Sequence, residues 1–230
     1  FSSKSEYLAA QKSIKVYNPF IIPNGVSLNN FKERKLKFKK HKKILFFGRI
    51  HEKKGLELLV SVINKLPADF FDEFSFEITG PGLKKDIINL KNLIEKNSLD
   101  NHVRYNSPVY KDNKIEYIKK HDVFILPSFE EGDSIALKEA LGSYLPAIIS
   151  EQCRLDVVSD YNAGIVIKTN QKSLFEALIK LKSLDVVKMG YNARKLVEEK
   201  FDNEDCSGRL RLIYDDIFNG VKNSDDWINQ

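Results

Sequence analysis

Leu126 to Pro146 reads LPSFEEGDSIALKEALGSYLP. Val123-Phe124-Ile125-Leu126 is the end of an apolar strand, and Pro127-Ser128 turns the chain. The acidic, glycine-bearing loop Phe129 to Ser134 then opens a helix. Ser134 or Asp133 can act as its N-cap, and Ile135, Leu137, Ala140 and Leu141 give it an apolar face. Glu131 and Glu139 have seven residues between them. At ~3.6 residues per turn, a separation of eight returns to roughly the same side of a helix. A strand, a loop, a helix N-terminus and two acids on one flank suit a ligand that carries both phosphate and hydroxyl groups.

The same strand–turn–helix pattern recurs on either side. Ile44 to Phe47 is an unbroken apolar run closed by Gly48-Arg49, which points to a strand covered on both faces. Gly55 to Leu66 follows, with Leu56, Leu59, Val60 and Ile63 at helical spacing. Phe74 to Thr79 predicts a strand ending in Gly80-Pro81-Gly82, then a helix over Lys84 to Lys96. Val103 to Tyr105 and Ile115 to Lys120 predict a short strand and a short helix. After the helix over Ser134 to Tyr144 come strands at Ala147 to Ser150 and Gly164 to Ile167. The end of the chain predicts helices over Ser173 to Leu181, Val186 to Lys200 and Asn203 to Phe218. Before all of these, Phe1 to Gln11 predicts a short helix. Ile14 to Val16 and Phe20 to Ile22 look strand-like, and Pro23-Asn24-Gly25 is a turn.

Strands alternating with helices across short loops predict an α/β fold, a doubly wound parallel sheet of Rossmann-like type with right-handed crossovers. Ligands in such sheets bind beyond the carboxyl ends of the strands. Gly48-Arg49, Gly80-Pro81-Gly82, Pro127-Ser128 and Ser150 all fall there.

Composition narrows the class. Apolar residues make up 42% and charged residues 30% of the 230, an ordinary globular balance. No apolar run approaches the ~20 residues of a membrane-spanning helix, and nothing at the start resembles a signal peptide. Because the chain starts at Phe1, it reads as a piece of a longer polypeptide. Cys153 and Cys206 are isolated, with no metal-ligand spacing, so free thiols in a cytoplasmic protein are expected. The net charge of +5 is concentrated in KERKLKFKKHKK, Lys32 to Lys43, which holds eight Lys or Arg against one Glu. With Phe38 its one aromatic and no recognisable motif, this patch does not indicate nucleic acid. A solvated connecting segment is the plainer reading, and docking on an anionic membrane surface the sharper one.

Further side chains invite chemistry. Arg49 and Lys54 bracket the turn into the helix at Gly55, where a guanidinium and an ammonium beside helix N–H groups suit a diphosphate. Taken alone, basic loop residues are commonly just solvated. By the same standard Glu139 reads as a helix-surface carboxylate, and Glu131 as an acid favoured by the helix dipole. His41, His51, His102 and His121 have no partner at catalytic spacing and read as structural or surface residues. Ser128 lacks the context of a hydrolase nucleophile.

Four segments together resemble a family. IIPNGVSLNNF (Ile21 to Phe31), FFGRIHEKKGLELL (Phe46 to Leu59), ITGPG (Ile78 to Gly82) and LPSFEEGDSIALKEAL (Leu126 to Leu141) occur in the order seen in the C-terminal domain of GT-B-fold, family 4-like retaining glycosyltransferases. The resemblance extends from about Ile14 to Phe218. It implies a nucleotide-sugar-binding domain over residues 14–220, preceded by an interdomain remnant over 1–13 and followed by a polar tail over 221–230. It also implies that the acceptor-binding N-terminal domain lies outside this chain, which would therefore transfer no sugar alone.

Carried over by motif, Arg49 and Lys54 would neutralise the donor diphosphate and the charge developing on the leaving group, with no metal and no cofactor. Glu131 would face the donor sugar. Glu139 would accept from the ribose hydroxyls, and the backbone of Gly132, Asp133 and Ser134 would reach phosphates or sugar. The base would lie near Gly80-Pro81-Gly82 and Val103-Arg104-Tyr105. In a bacterial setting the resemblance implies a growing surface polysaccharide or lipid-linked glycan as acceptor, and the basic patch adds the expectation of peripheral association at the inner face of the membrane. A nucleotide-sugar epimerase, a disaccharide synthase and a non-catalytic doubly wound nucleotide-binding module are the alternatives.

The sequence departs from the family pattern in three places. Gly132-Asp133-Ser134 replaces the usual Gly-Phe-Gly and would put an extra carboxylate beside the sugar. Tyr144 stands where a glycine normally precedes x-Pro. Glu151 to Arg154 replaces a small-residue loop.

Overall fold

A computed structural model describes residues 1–15, 19–31, 33–110 and 113–219. Six strands form one wholly parallel sheet in the order β3-β2-β1-β4-β5-β6. They are β1 (Lys42–Phe47), β2 (Phe74–Thr79), β3 (Val103–Asn106), β4 (Val123–Leu126), β5 (Ala147–Ser150) and β6 (Gly164–Ile167). The helices are α1 (Lys4–Gln11), α2 (Leu56–Ile63), α3 (Ala68–Phe71), α4 (Lys84–Lys96), α5 (Asn113–Ile118), α6 (Ile135–Gly142), α7 (Val157–Asp160), α8 (Gln171–Leu181), α9 (Val186–Lys200) and α10 (Asn203–Phe218).

The unbroken apolar runs behave as their pattern requires. Ile44, Leu45 and Phe46 of β1 have no exposed surface, and every residue of β4 and β5 is buried. Each such side chain contributes about 1.5–3 kcal/mol by leaving water. Two short helices, α3 and α7, carry no periodic signal. α3 nevertheless fixes the rim of the sheet, because Phe70 stacks on Phe74 at 4.7 Å between ring centres and on Phe76 at 6.1 Å.

The N-terminal stretch differs from expectation. Ile14 sits in a bend and Phe20 to Ile22 are irregular, not strands, while Val16 and the tail 221–230 lie outside the described residues. Among its described residues none joins a sheet edge. Its described residues make an isolated parallel bridge of Val26 with Asp202, where Val26 N–H donates to the Phe201 carbonyl at 2.8 Å and Asn203 N–H to the Val26 carbonyl at 3.1 Å.

α6 starts one residue later and stops two residues earlier than the sequence suggests. Tyr144 lies beyond it at φ +67°, a left-handed conformation that a glycine would adopt freely. The strain, on the order of 1 kcal/mol, is offset by packing. The Tyr144 ring meets Tyr191 edge-on at 5.7 Å, and the Arg194 guanidinium lies 5.6 Å from its centre.

Candidate functional site

β1 and β4 are neighbours in the sheet, yet the chain leaves β1 towards β2 and leaves β4 towards β5. The loops after them therefore diverge, and a crevice opens at this switch point. The two stretches singled out in the sequence, Gly48 to Gly55 and Pro127 to Ser134, are those two loops.

Backbone contacts hold them together. Glycine is required at position 55, where φ is +69° and a Cβ would lie 2.0 Å from the Pro127 carbonyl oxygen. Phe129 N–H donates to the Lys53 carbonyl at 2.8 Å. A short 3-10 turn, Glu52–Lys54, capped by His51 Nδ1 accepting from Lys53 N–H, then aims Lys54 across the crevice. Lys54 Nζ lies 2.5 Å from Glu131 Oε2, and Ser128 Oγ donates to the same carboxylate at 3.3 Å. Both partners are more than four-fifths buried. Arg49 is exposed on the wall of the same cavity, about 370 Å³, together with Gly132, His51 and the exposed pair Lys53–Glu130. Its lining holds three cations, Arg49, Lys53 and Lys54, against two acids, each paired with one of the lysines.

Gly80-Pro81-Gly82 proves to be architecture. Gly80 has φ +156°, and a Cβ there would lie 1.7 Å from the Gly48 carbonyl oxygen. Ile50 N–H donates to the Pro81 carbonyl at 2.7 Å, locking the loop after β1 onto the loop after β2.

Other candidates are placed differently. The helix periodicity that put Glu131 and Glu139 on one side does not apply, because Gly132 to Ser134 are not helical and α6 begins at Ile135. Glu139 is nearly buried on α6, so it is not a solvated helix-surface residue, and it pairs with Lys114 of α5 instead of lining the Lys54 cavity. Ser134 is the N-cap, its hydroxyl accepting from Leu137 N–H at 3.3 Å. Asp133 turns away from the cavity. It is ion-paired with Lys138 and accepts from the Asn24 side chain at 2.8 Å. Burial holds the Lys138 ammonium below the usual lysine pKa, although Asp133 pulls the other way.

Lys114, Lys138 and Asn24 escaped the sequence reading. Lys138 was the one detectable, since it stands between Leu137 and Leu141 on the buried face of α6, where a charge needs a partner. Under the loop, Ser150 Oγ donates to the Ser128 carbonyl at 2.6 Å and Cys153 Sγ reaches the Leu126 carbonyl at 3.5 Å. Burial pushes the Cys153 thiol up to about 11, so it is no nucleophile at neutral pH.

At the opposite end of the sheet the basic segment is not a merely solvated connector. Lys39 pairs with Asp122 at 2.6 Å, Lys43 with Glu77 at 2.7 Å and Lys42 with Glu73 at 3.8 Å. Arg34 donates to the His121 and Ser143 carbonyls at 3.3–3.4 Å. Lys35, Lys37, Lys40 and Phe38 stay exposed. His121, read as structural, is buried with Nε2 3.2 Å from Glu77. Among the described residues no three metal-ligating side chains cluster, and no helix is long and apolar enough to cross a membrane.

Comparison with known proteins agrees with this architecture. The uncharacterized glycosyltransferase MJ1069 of Methanocaldococcus jannaschii is 27% identical over 210 residues, covering 89% of this chain and 53% of that protein. Among solved structures, sucrose-phosphate synthase from Thermosynechococcus elongatus superposes with a TM-score of 0.82 at 19% identity, over 95% of this chain and 58% of that one. Anabaena HepE in complex with UDP and glucose gives 0.79 at 16% identity, over 93% and 61%. TarM of S. aureus, in a complex with UDP among its ligands, gives 0.76 at 21%, over 92% and 42%. The chain thus spans about half the length of the relatives it matches, and its sheet is the Rossmann-like half of a GT-B fold. The family model described as glycosyl transferases group 1 matches residues 29–196, a span that holds both crevice loops, and the chain belongs to that family.

Proposed function

We propose that this chain is the donor-binding domain of a retaining glycosyltransferase of family 4 type. It would take a sugar from a nucleoside diphosphate and pass it to a glycan or lipid-linked acceptor, in bacterial surface polysaccharide synthesis. The observation that carries this reading is the Lys54–Glu131 pair at the switch point, with Arg49 on the same cavity wall.

Arg49 and Lys54 bind the diphosphate and stabilise the charge that grows on it as the bond to the sugar breaks. Two cations supply this without a metal. Glu131 orients Lys54 and meets the sugar hydroxyls, while Gly132 leaves its side open to the ligand. Glu139 accepts from the ribose, with Lys114 as its counter-charge. The UDP in the HepE and TarM complexes supports a uridine nucleotide as the first to test. The acceptor half belongs to the part of the relatives that this chain does not match. A cytoplasmic setting, with contact at the inner membrane face through Lys35, Lys37 and Lys40, completes the proposal.

Titration calorimetry of the chain with UDP, GDP, ADP and phosphate, with and without Mg²⁺, tests it. One nucleoside diphosphate should bind with micromolar to millimolar affinity independently of Mg²⁺, and Lys54→Ala or Glu139→Ala should weaken it strongly. The absence of nucleotide binding, or parent-like binding by both variants, would refute the site.

A further inference from the structure

Lys138 takes no part in the diphosphate chemistry, yet among the described residues it is the most deeply buried lysine, 1% exposed. Its ammonium is ion-paired with Asp133, donates to the Asn24 carbonyl at 2.8 Å and lies 4.7 Å from the centre of the Phe201 ring. Asp133 closes the cycle from the other side, accepting from the Asn24 backbone N–H at 3.1 Å and from Asn24 Nδ2 at 2.8 Å. One residue of Pro23-Asn24-Gly25, which is irregular and not the turn its composition suggests, thus gives its N–H, carbonyl and side chain to a single ion pair.

This segment is itself fixed. A Cβ on Gly25 would lie 2.5 Å from Asn203 Cα, and Val26 exchanges hydrogen bonds with Phe201 and Asn203 at the joint between α9 and α10. On its other side, Asp133 stands between Gly132, which lines the crevice cavity, and Ser134, which caps α6. Leaving a buried ammonium without its partner costs several kcal/mol. Asp133 is therefore held, and the loop with it.

We propose that Asp133 and Lys138 are positioning residues for the candidate donor site. Their ion pair ties the loop Phe129 to Ser134 to the Asn24 segment, so that Glu131 and Gly132 stand in binding geometry before any ligand arrives. The inference rests on the reading of that loop as a diphosphate and sugar site. It makes the site's shape depend on where the N-terminal segment sits. It also removes Asp133 from direct contact with the sugar, since every partner of its carboxylate lies away from the cavity.

The test compares the parent with Asp133→Asn/Lys138→Met, which deletes both charges together and leaves no unpaired buried ion. Two readouts are taken: amide hydrogen exchange of residues 24–26 and 129–134 without ligand, and calorimetry with UDP. The double variant should melt as cooperatively as the parent, exchange about tenfold faster in both segments and bind UDP about tenfold more weakly. Asn24→Ala keeps the ion pair and should show the same pattern at about threefold. It serves as the deciding variant if the double variant does not fold. Parent-like exchange, or acceleration in only one segment, overturns the clamp. Accelerated exchange in both with unchanged UDP affinity overturns its role in the site. If the parent binds no UDP, GDP or ADP, the donor reading itself fails, and the exchange rates still decide whether the clamp sets the loop.

Discussion

Lys54 and Glu131 come from different βα loops, 77 residues apart in sequence, and meet at 2.5 Å over the seam between β1 and β4. Neither loop could hold its charge there alone. Lys54 is aimed by a 3-10 turn pressed on the Pro127 carbonyl, and Glu131 is steadied by Ser128, whose own carbonyl accepts from Ser150. Replacing one partner should therefore disturb the other. Lys54→Met removes a charge-assisted contact to phosphate, worth about 1.5–3 kcal/mol, and should raise the Kd for the bound nucleoside diphosphate about 10–100-fold. Glu131→Gln keeps the shape and loses only the orienting charge, so its effect should be several-fold smaller. Calorimetry on the two single variants and the double variant checks this. Strictly additive losses would mean that the pair does not act as a unit.

Gly55 is the hinge of the same arrangement. Gly55→Ala must adopt φ +69° and also displace the Pro127 carbonyl, 2.0 Å from the new Cβ. Left-handed strain alone costs about 1 kcal/mol, and the collision adds to it. The expected loss in a urea melt is about 2–4 kcal/mol, with the loop after β4 exchanging faster. A variant as stable as the parent would show that the two loops are not in this contact in solution.

Glu77 gives the fold a defined acid response. Burial pushes its carboxyl up, but hydrogen bonds from Lys43 and His121 outweigh that and hold it at about 2, against 4.5 when free. A carboxyl whose folded pKa is depressed stabilises the fold fully above its unfolded pKa, and that stability drains away as pH falls from about 4.5 towards 2. Glu77→Gln should therefore be less stable than the parent at neutral pH, and the two should converge near pH ~2–3. Asn106 and Tyr117 donate to Oε2 and can still donate to an amide oxygen there, while the amide nitrogen cannot accept from Lys43 at the Oε1 position, so the difference reports the charge together with the Lys43 contact. Urea midpoints across this range measure it, and a gap that stays constant with pH would contradict the assignment.

The contrast between Glu131 and Glu139 indicates what a linear sequence conveys. β2, α4, β4, β5, β6, α9 and α10 were legible residue for residue, because apolar periodicity and local stop signals decide them. Arg49, Lys54, Glu131 and Gly132 were legible as a group, because βα loops of a parallel sheet open at one end whatever the strand order. The roles of Asp133 and Lys114 were not. Each depends on a partner more than 20 positions away, Asn24 for one and Glu139 for the other, and no local pattern encodes such a meeting. Phe20 to Ile22 misled for the opposite reason. The residues favour a strand, but the tertiary position offers no sheet edge to pair with.

The basic segment gives the last test. Its described lysines divide into those that pair with Asp122, Glu73 and Glu77, namely Lys39, Lys42 and Lys43, and those that stay exposed around Phe38, namely Lys35, Lys37 and Lys40. The first group is a stability device, since changing it removes a counter-charge from each of Asp122, Glu73 and Glu77. The second group, with an aromatic ring 81% exposed, is the one free to meet an anionic surface. Lys35→Ser/Lys37→Ser/Lys40→Ser should melt with the parent yet lose most of its sedimentation with phosphatidylserine vesicles, at about 1 kcal/mol per lysine. Lys39→Ser/Lys42→Ser/Lys43→Ser should show the reverse, a lowered Tm. Equal sedimentation by the parent and the first variant would leave the segment as scaffolding for the sheet and end the membrane reading.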